Sequence, residues 1–403
     1  MKKSVHLAQL KIPMTFTFTD KVDVDRRPSL RLVSRLSPGL KSDNNKSYTI
    51  SNSFDESSTR SSGKIINPFS LTAADRSRQK IVFGAMTFGR KGAEQARVHD
   101  LEVAAKIVDV FQSHGHSEVD TARIYGGGSS EAYLAQLDWQ SRGIALATKL
   151  PPVGVHIPPF LDTRNKTLRE LMLESMRALK TDKVDLLYLH GPDRNTPYEQ
   201  TLHEINDLYN EGYFTRFGIS NFAAWEVAQM SDTISRNGWK KIDVYQGIYN
   251  ALHRAVEPEL FPALKHYGIA FYAYNPLAGG FLADRYQRET EDHEGGRFDP
   301  SHVQGALYRK KYWNDAHFDA LDKIRPLANR VGLTTAQAAL RWMNHHSKLT
   351  TDFGDAIITS ASIAEQLKEN LAALEMGPLP DELVKAFDES YRVVKADVSP
   401  YFF

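Results

Sequence analysis

The chain has 403 residues, 41% hydrophobic, 25% charged and 10% aromatic, the profile of a globular protein able to bury a large core. Lysine plus arginine number 50 against 49 acidic residues, so bulk charge gives no reason to expect nucleic acid or an anionic membrane as partner. The absence of cysteine excludes disulfides, thiol catalysis, thiolate metal sites and iron–sulfur clusters, and no apolar run approaches the ~20 residues of a membrane span.

Residues 1–78 are rich in Ser, Asn, Asp, Lys and Arg and show no sustained period of 2 or 3.6, which predicts a disordered N-terminal extension. Lys2, Lys3, Lys11, Arg26, Arg27, Arg31 and Arg35 are compatible with a mitochondrial transit peptide. Asp20, Asp23 and Asp25 interrupt that pattern, because transit peptides are poor in acids. A soluble, cytoplasmic protein with an untargeted extension is the favoured expectation.

From residue 79 to residue 403, short apolar runs alternate with longer helical patterns. The runs are 81–86, 118–120, 144–149, 184–190, 217–221, 244–247, 269–274 and 356–359. Each is apolar almost throughout, as expected of parallel strands buried on both faces. Between them, Val103, Ala104, Ile107, Val108 and Phe111 make one helical face, and Leu168, Leu171, Met172, Ser175 and Leu179 another. Eight β-then-α units in this length predict an α/β fold, a (β/α)8 TIM barrel. A doubly wound sheet is the alternative, disfavoured because no strand is followed by a Gly-x-Gly-x-x-Gly turn.

Polar residues sit at the ends of these runs. Asp120, Lys149, His190, Asn221, Gln246 and Asn275 each lie at or just past the C-terminal end of a different strand, the edge where barrel active sites are built. A lysine ending a buried apolar run needs an anionic neighbour, and Asp120 is the nearest candidate. Tyr125 follows Asp120 by five residues, where the chain gives way to Gly126-Gly127-Gly128. Structural ion pairs and helix caps also use such residues, but six at six strand ends point to a site.

The chemistry follows from the residue types. A phenol is a poor acid at neutral pH, and a neighbouring ammonium makes its ionised form accessible while a carboxylate keeps the ammonium charged. An imidazole beside the phenol can hold a carbonyl oxygen by a hydrogen bond. This set suits protonation of a carbonyl oxygen while hydride reaches the carbon, and the hydride must come from a cofactor.

These residues carry a resemblance. Asp120-Thr-Ala-Arg-Ile-Tyr125, Ala147-Thr-Lys149, Leu187-Tyr-Leu-His190, Gly218-Ile-Ser-Asn221 and Val244-Tyr-Gln246 resemble, in order and separation, the segments that define the aldo-keto reductases. Gly84-Ala-Met86, Tyr245-Gln-Gly-Ile-Tyr-Asn250, Phe271-Tyr-Ala-Tyr-Asn-Pro-Leu-Ala-Gly-Gly280 and Glu365-Gln-Leu-Lys-Glu-Asn370 are closer to one branch, the aflatoxin-aldehyde and succinic-semialdehyde reductases. The resemblance covers residues 81–403. It implies NADP(H) bound in extended form and a small-molecule aldehyde or ketone reduced to an alcohol, with dicarbonyls or semialdehydes as candidates. It implies a homodimer as well. By the same resemblance Asp120, Tyr125, Lys149 and His190 form the catalytic tetrad, with Tyr125 the proton donor. Ser220, Asn221, Gln246, Asn275, Leu277, Gly279, Arg297, Ser362, Gln366 and Asn370 fall on cofactor positions, and Tyr308 and Arg309 beside His190 on substrate positions. Arg123 is expected either to line the substrate mouth or to pair with a surface acid. A non-catalytic NADP(H)-binding regulatory subunit on the same barrel is the alternative function.

The chain also departs from that branch. Ser360 and Ile363 replace a glycine and a serine, removing one hydroxyl near the adenosine phosphate, and Ala283-Asp284-Arg285 stands where a Gly-Lys ending contacts pyrophosphate. Lys368 either supplies charge there or lies on a solvated helix face. His345-His346 reads as structural and not metal-binding, since adjacent residues do not share a helical face. The segment Gln287–Gly305 reads as a mobile lid, and the aromatic end Pro400-Tyr-Phe-Phe403 as a tail folding back toward the site or a partner subunit.

Overall fold

The structure is a computed structural model that describes residues 78–157, 161–290 and 296–403. The extension expected over residues 1–78 lies, Arg78 apart, outside the described residues. Eight strands match the eight apolar runs: β1 (Lys80–Gly84), β2 (Glu118–Asp120), β3 (Ala145–Leu150), β4 (Val184–Leu189), β5 (Phe214–Ser220), β6 (Val244–Ile248), β7 (Ala270–Tyr274) and β8 (Ala356–Thr359). All pair in parallel with their sequence neighbours, and β1 pairs with β8 through Lys80↔Ala356 to Phe83↔Thr359. That closure makes a (β/α)8 barrel and removes the doubly wound alternative.

Side-chain alternation explains why the runs look continuously apolar. Val82, Ala147, Leu186, Tyr188, Val244, Tyr272, Ala356 and Ile358 form one cluster within the barrel. Their chain neighbours Ile81, Phe83, Leu146 and Leu187 join a second cluster that packs against the helices. Both faces are therefore dry, and a helix must cover each strand-to-strand connection. The covering helices begin with α1 (Leu101–Ser113), capped by the Asp100 carboxylate on the Glu102 and Val103 N–H groups. Next come α2 (Ser129–Gln136), α3 (Leu168–Leu179), α4 (Tyr198–Asn210), α5 (Ala224–Asn237) and α6 (Leu260–Tyr267). After β7 the chain adds α7 (Val303–Tyr312), α8 (Asp315–Arg330) and α9 (Thr335–His345) before β8, then α10 (Ala364–Glu375) and α11 (Asp381–Val394).

The segment expected as a mobile lid is anchored where it is described. Arg288 pairs with Asp315 and Asp319 of α8, each at 2.6 Å. Phe298 is fully buried among Phe281, Tyr286, Tyr308 and Trp313. Phe298 is the one phenyl, phenol or indole ring in residues 287–305, and its burial among rings from outside the segment holds this part of it to the barrel.

The N-terminal ends of the strands hold a polar floor. Lys80 and Arg216 both donate to Glu118, Arg216 also pairs with Asp185, and the Tyr272 hydroxyl receives Lys80 at 2.8 Å and Arg216 at 3.0 Å. Burial works against the Arg216 charge, but Glu118 and Tyr272 outweigh it and push its pKa up. Because Glu118 is buried and holds two cations, Glu118→Ala should lower unfolding free energy by about 2–3 kcal/mol, less than a fully enclosed pair since both cations reach solvent. Urea denaturation reads this directly, and an unchanged midpoint would remove the floor from any account of stability.

Candidate active site

At the opposite end of the barrel, four side chains converge from β2, β3 and β4. Asp120 closes β2, Lys149 lies in β3, His190 follows β4, and Tyr125 opens a short turn after β2. Lys149 is fully buried. Its ammonium donates to Asp120 Oδ1 and, at 2.8 Å, to the Thr121 carbonyl, and it lies 3.5 Å from Tyr125 Oη. Its Nζ also stands 4.9 Å from the centre of the Tyr125 ring and 5.7 Å from that of Tyr188, so the charge is wrapped by two aromatic faces. The other Asp120 oxygen accepts from Gln246 Nε2 at 2.9 Å. His190 meets Tyr125 edge-on, ring centres 5.6 Å apart, and its Nδ1 is enclosed with no hydrogen-bond partner among the described residues.

Burial pushes the Asp120 carboxyl up and the Lys149 ammonium down, each toward neutrality, and their mutual attraction opposes both shifts. Burial and then the Lys149 charge lower His190 to about 3, so its imidazole is neutral. Burial, followed by the Asp120 carboxylate, holds the Tyr125 phenol well above its ordinary value. The sequence had suggested an accessible phenolate. The structure instead keeps the phenol protonated, because enclosure and a nearby carboxylate both disfavour a second negative charge.

A second group of residues rims the mouth on β5 to β8. Ser220 and Asn221 end β5, and Asn221 (φ 66°) donates from Nδ2 to the His190 carbonyl and to Ser220 Oγ, both at 3.0 Å, while accepting from Tyr274 at 2.9 Å. Asn275 follows β7 and donates to Tyr312 Oη at 3.0 Å. Leu277 and Gly279 continue that turn, where a Cβ on Gly279 would come within 2.2 Å of the Tyr308 ring. Arg297 donates to Ser360 Oγ at 2.8 Å and has no carboxylate partner among the described residues. Asn370 is buried with its Nδ2 unpaired among them, near the start of α10 where Ser362 and Gln366 also lie. These residues could offer amide donors, a guanidinium and hydroxyls to a bound cofactor.

Two expectations change. Arg123 does not extend into the mouth. Its guanidinium is committed to the Glu131 carboxylate and the Gly128 carbonyl, because its side chain turns back along the loop that bears it. The acid it meets is buried, not on the surface. Arg309 likewise faces inward to the lid residues, donating to the Phe298 carbonyl at 2.7 Å and covering Trp313 at 4.7 Å, while its neighbour Tyr308 stays 3.5 Å from Asn275 Oδ1. Asp284, in the segment that departs from the resemblance, receives the Thr335 N–H and hydroxyl at the start of α9. Lys368 lies on an exposed face of α10, and His345 and His346 bond the Met376 carbonyl and the Leu379 N–H at 2.7 and 2.9 Å, both structural contacts.

Sequence reasoning missed Tyr188, Tyr274, Glu131 and Arg97. Tyr188 had a signal: it lies in β4, two residues before His190 at the strand's end, in the alternation that faces the barrel interior. Gly218 makes room for it, since a Cβ there would meet its ring at 2.4 Å. Arg97, in the β1–α1 loop, had none; burial and then Arg297 lower it to about 10, and Gln304 accepts from it at 3.1 Å.

Comparison with known proteins agrees with this arrangement. The Aldo/keto reductase family model matches residues 80–392. An aldo-keto reductase of Pseudocercospora fijiensis is 55% identical over 297 residues, 73% of this chain and 100% of that protein. Aldo-keto reductase pigE of Monascus ruber is 46% identical over 335 residues, 81% of this chain and 98% of that one. Human aflatoxin B1 aldehyde reductase member 2 is 40% identical over 332 residues, 80% and 89% of the two chains. A closed parallel barrel, an ammonium buried between a carboxylate and a phenol, and a match across the barrel place this chain in the aldo/keto reductase family, enzymes that act on carbonyl compounds.

Proposed function

We propose that this protein reduces aldehydes, including dicarbonyls or semialdehydes, to alcohols with NADPH, and that Tyr125 donates the proton. The observation that carries the reading is the position of the Lys149 ammonium, in contact with Asp120 on one side and 3.5 Å from the Tyr125 hydroxyl on the other. NADPH, when bound, supplies the hydride. Ser220, Asn221 and Gln246 would hold its nicotinamide end, Asn275, Leu277, Gly279 and Arg297 its pyrophosphate, and Ser362, Gln366 and Asn370 its adenosine end. The Asn370 Nδ2, unpaired among the described residues, supports that fit, as does the Arg297 guanidinium, which meets no carboxylate among them.

The chain's own residues then handle one proton. Tyr125, kept neutral by its surroundings, gives its proton to the carbonyl oxygen as the carbon gains hydride. The phenolate left behind lies beside Lys149, whose charge offsets it, and Asp120 keeps that ammonium in place. A neutral His190 carries one N–H, a single donor for the carbonyl oxygen, and cannot compete with Tyr125 as an acid. Tyr308, on the rim, lies on the substrate side of the proposal.

Tyr125→Phe should lower kcat by at least about 100-fold while nucleotide affinity, read by fluorescence titration, is unchanged. Full activity in this variant would sink the assignment. Cofactor oxidation assayed with NADPH and NADH over aromatic, dicarbonyl and acidic aldehydes should favour NADPH. Nucleotide binding without turnover of any of them would favour a non-catalytic NADP(H)-binding subunit. The His190 ring should stay neutral from pH 8 to pH 5, as followed by its imidazole proton shifts in NMR, and a midpoint near the ordinary 6.5 would refute its enclosure. The sign for stability follows. A lowered folded pKa contributes stability that is complete above 6.5 and is lost as pH falls toward about 3.

A further inference from the structure

Tyr125 is followed by Gly126, Gly127 and Gly128, all left-handed at φ 57°, 60° and 85°. Such a run has little stiffness of its own, so the place of the phenol depends on what fastens the loop. The fastening is Arg123. Its Nη2 donates to the Gly128 carbonyl at 2.8 Å, its Nη1 pairs with the Glu131 carboxylate on α2, and the Glu174 carbonyl of α3 lies 3.5 Å away. A Cβ on Gly128 would come within 2.2 Å of Arg123 Nη2, so the guanidinium fills the space that only glycine leaves.

Glu131 carries the tie to the other side of the site. It has no exposed surface, and its second oxygen accepts from Thr148 Oγ1 at 2.7 Å. Thr148 precedes Lys149 in β3, and the Arg123 N–H itself donates to the Lys149 carbonyl at 3.1 Å. The loop bearing the phenol and the strand bearing the ammonium are thus joined twice, through backbone and through a buried ion pair. Burial pushes the Glu131 carboxyl up, and the Arg123 charge is the largest of the contacts that oppose it, followed by the Thr148 hydrogen bond.

We propose that Arg123 and Glu131 are positioning residues for proton transfer: the pair clamps the Tyr125 loop onto β3 and so sets the distance from the Tyr125 hydroxyl to Lys149. This rests on Tyr125 as proton donor. A phenol displaced by about 1 Å would transfer its proton far more slowly without any change in how nucleotide is held. Neither residue touches the mouth, so a role in binding substrate is not part of the proposal.

The experiment compares Arg123→Met, Glu131→Gln and their combination in the full chain. Arg123→Met should lower kcat by about 10- to 100-fold, with nucleotide affinity unchanged. Glu131→Gln, which removes the carboxylate at the other end of the same ion pair, should lower kcat too, and the double variant should be no worse than the more impaired single one. Arg123→Lys, which keeps the charge but not the fork, should recover part of the loss. Hydrogen exchange at the amides of residues 124–128 should accelerate in Arg123→Met while β3 stays protected. Wild-type kcat in Arg123→Met, or additive losses in the double variant, would overturn the clamp. Exchange is read without turnover: a protein that reduces no aldehyde would sink the proposed function, and unchanged exchange would still sink the clamp separately.

Discussion

A single ammonium in the dry interior of a barrel constrains everything at its mouth. Lys149 has no exposed surface, and an ammonium removed from water costs several kcal/mol unless its surroundings return the lost solvation. Asp120 supplies the counter-charge, the Thr121 carbonyl a further acceptor, and the rings of Tyr125 and Tyr188 the remaining walls. Each of these demands something of its neighbours. Asp120 needs Gln246 for its second oxygen, and Tyr188 needs a glycine at 218 for its ring. One charge therefore fixes residues on β2, β3, β4, β5 and β6.

The two ends of the barrel solve the same problem differently. At the floor, Glu118 stands between two cations that reach solvent, and the arrangement serves to plug the base. At the mouth, the ammonium faces one carboxylate and one neutral phenol, leaving its attraction for a phenolate unspent. A site that must accept transient negative charge is best built from a cation whose partners do not neutralise it on every side. The neutral His190 fits the same logic, since a second cation beside Lys149 would weaken both.

Much of this was legible in the sequence. Parallel strands buried on both faces produce apolar runs that need no partner to be recognised, and the barrel follows from their number and the helices between them. The tetrad was legible because strand ends converge in a barrel, so Asp120, Lys149 and His190, far apart in the chain, share one location. Direction was not legible. Arg123 sits two residues before Tyr125, and nothing in that spacing tells whether its side chain runs out over the mouth or back onto Gly128 and Glu131. Arg309 posed the same difficulty, settled by the aromatic residues packed beside it. The partner of Asp284 at the head of α9 lies 51 positions away and could not be inferred locally.

The route of the chain around the barrel has a consequence for its synthesis. The proposed acid–base residues all lie between 120 and 190, on or just after β2 to β4, while the proposed nucleotide-holding residues all lie between 220 and 370. The seam that joins the ends, β1 to β8, pairs Lys80 with Ala356 and cannot form until nearly the whole chain has left the ribosome. The segment that bears Lys149 is thus made before β5 to β8, the strands that complete the barrel around it. A ligand that binds only the closed barrel across β5 to β8 would favour closure of that seam, so under the proposed function nucleotide would add to the fraction of chain that reaches the folded state.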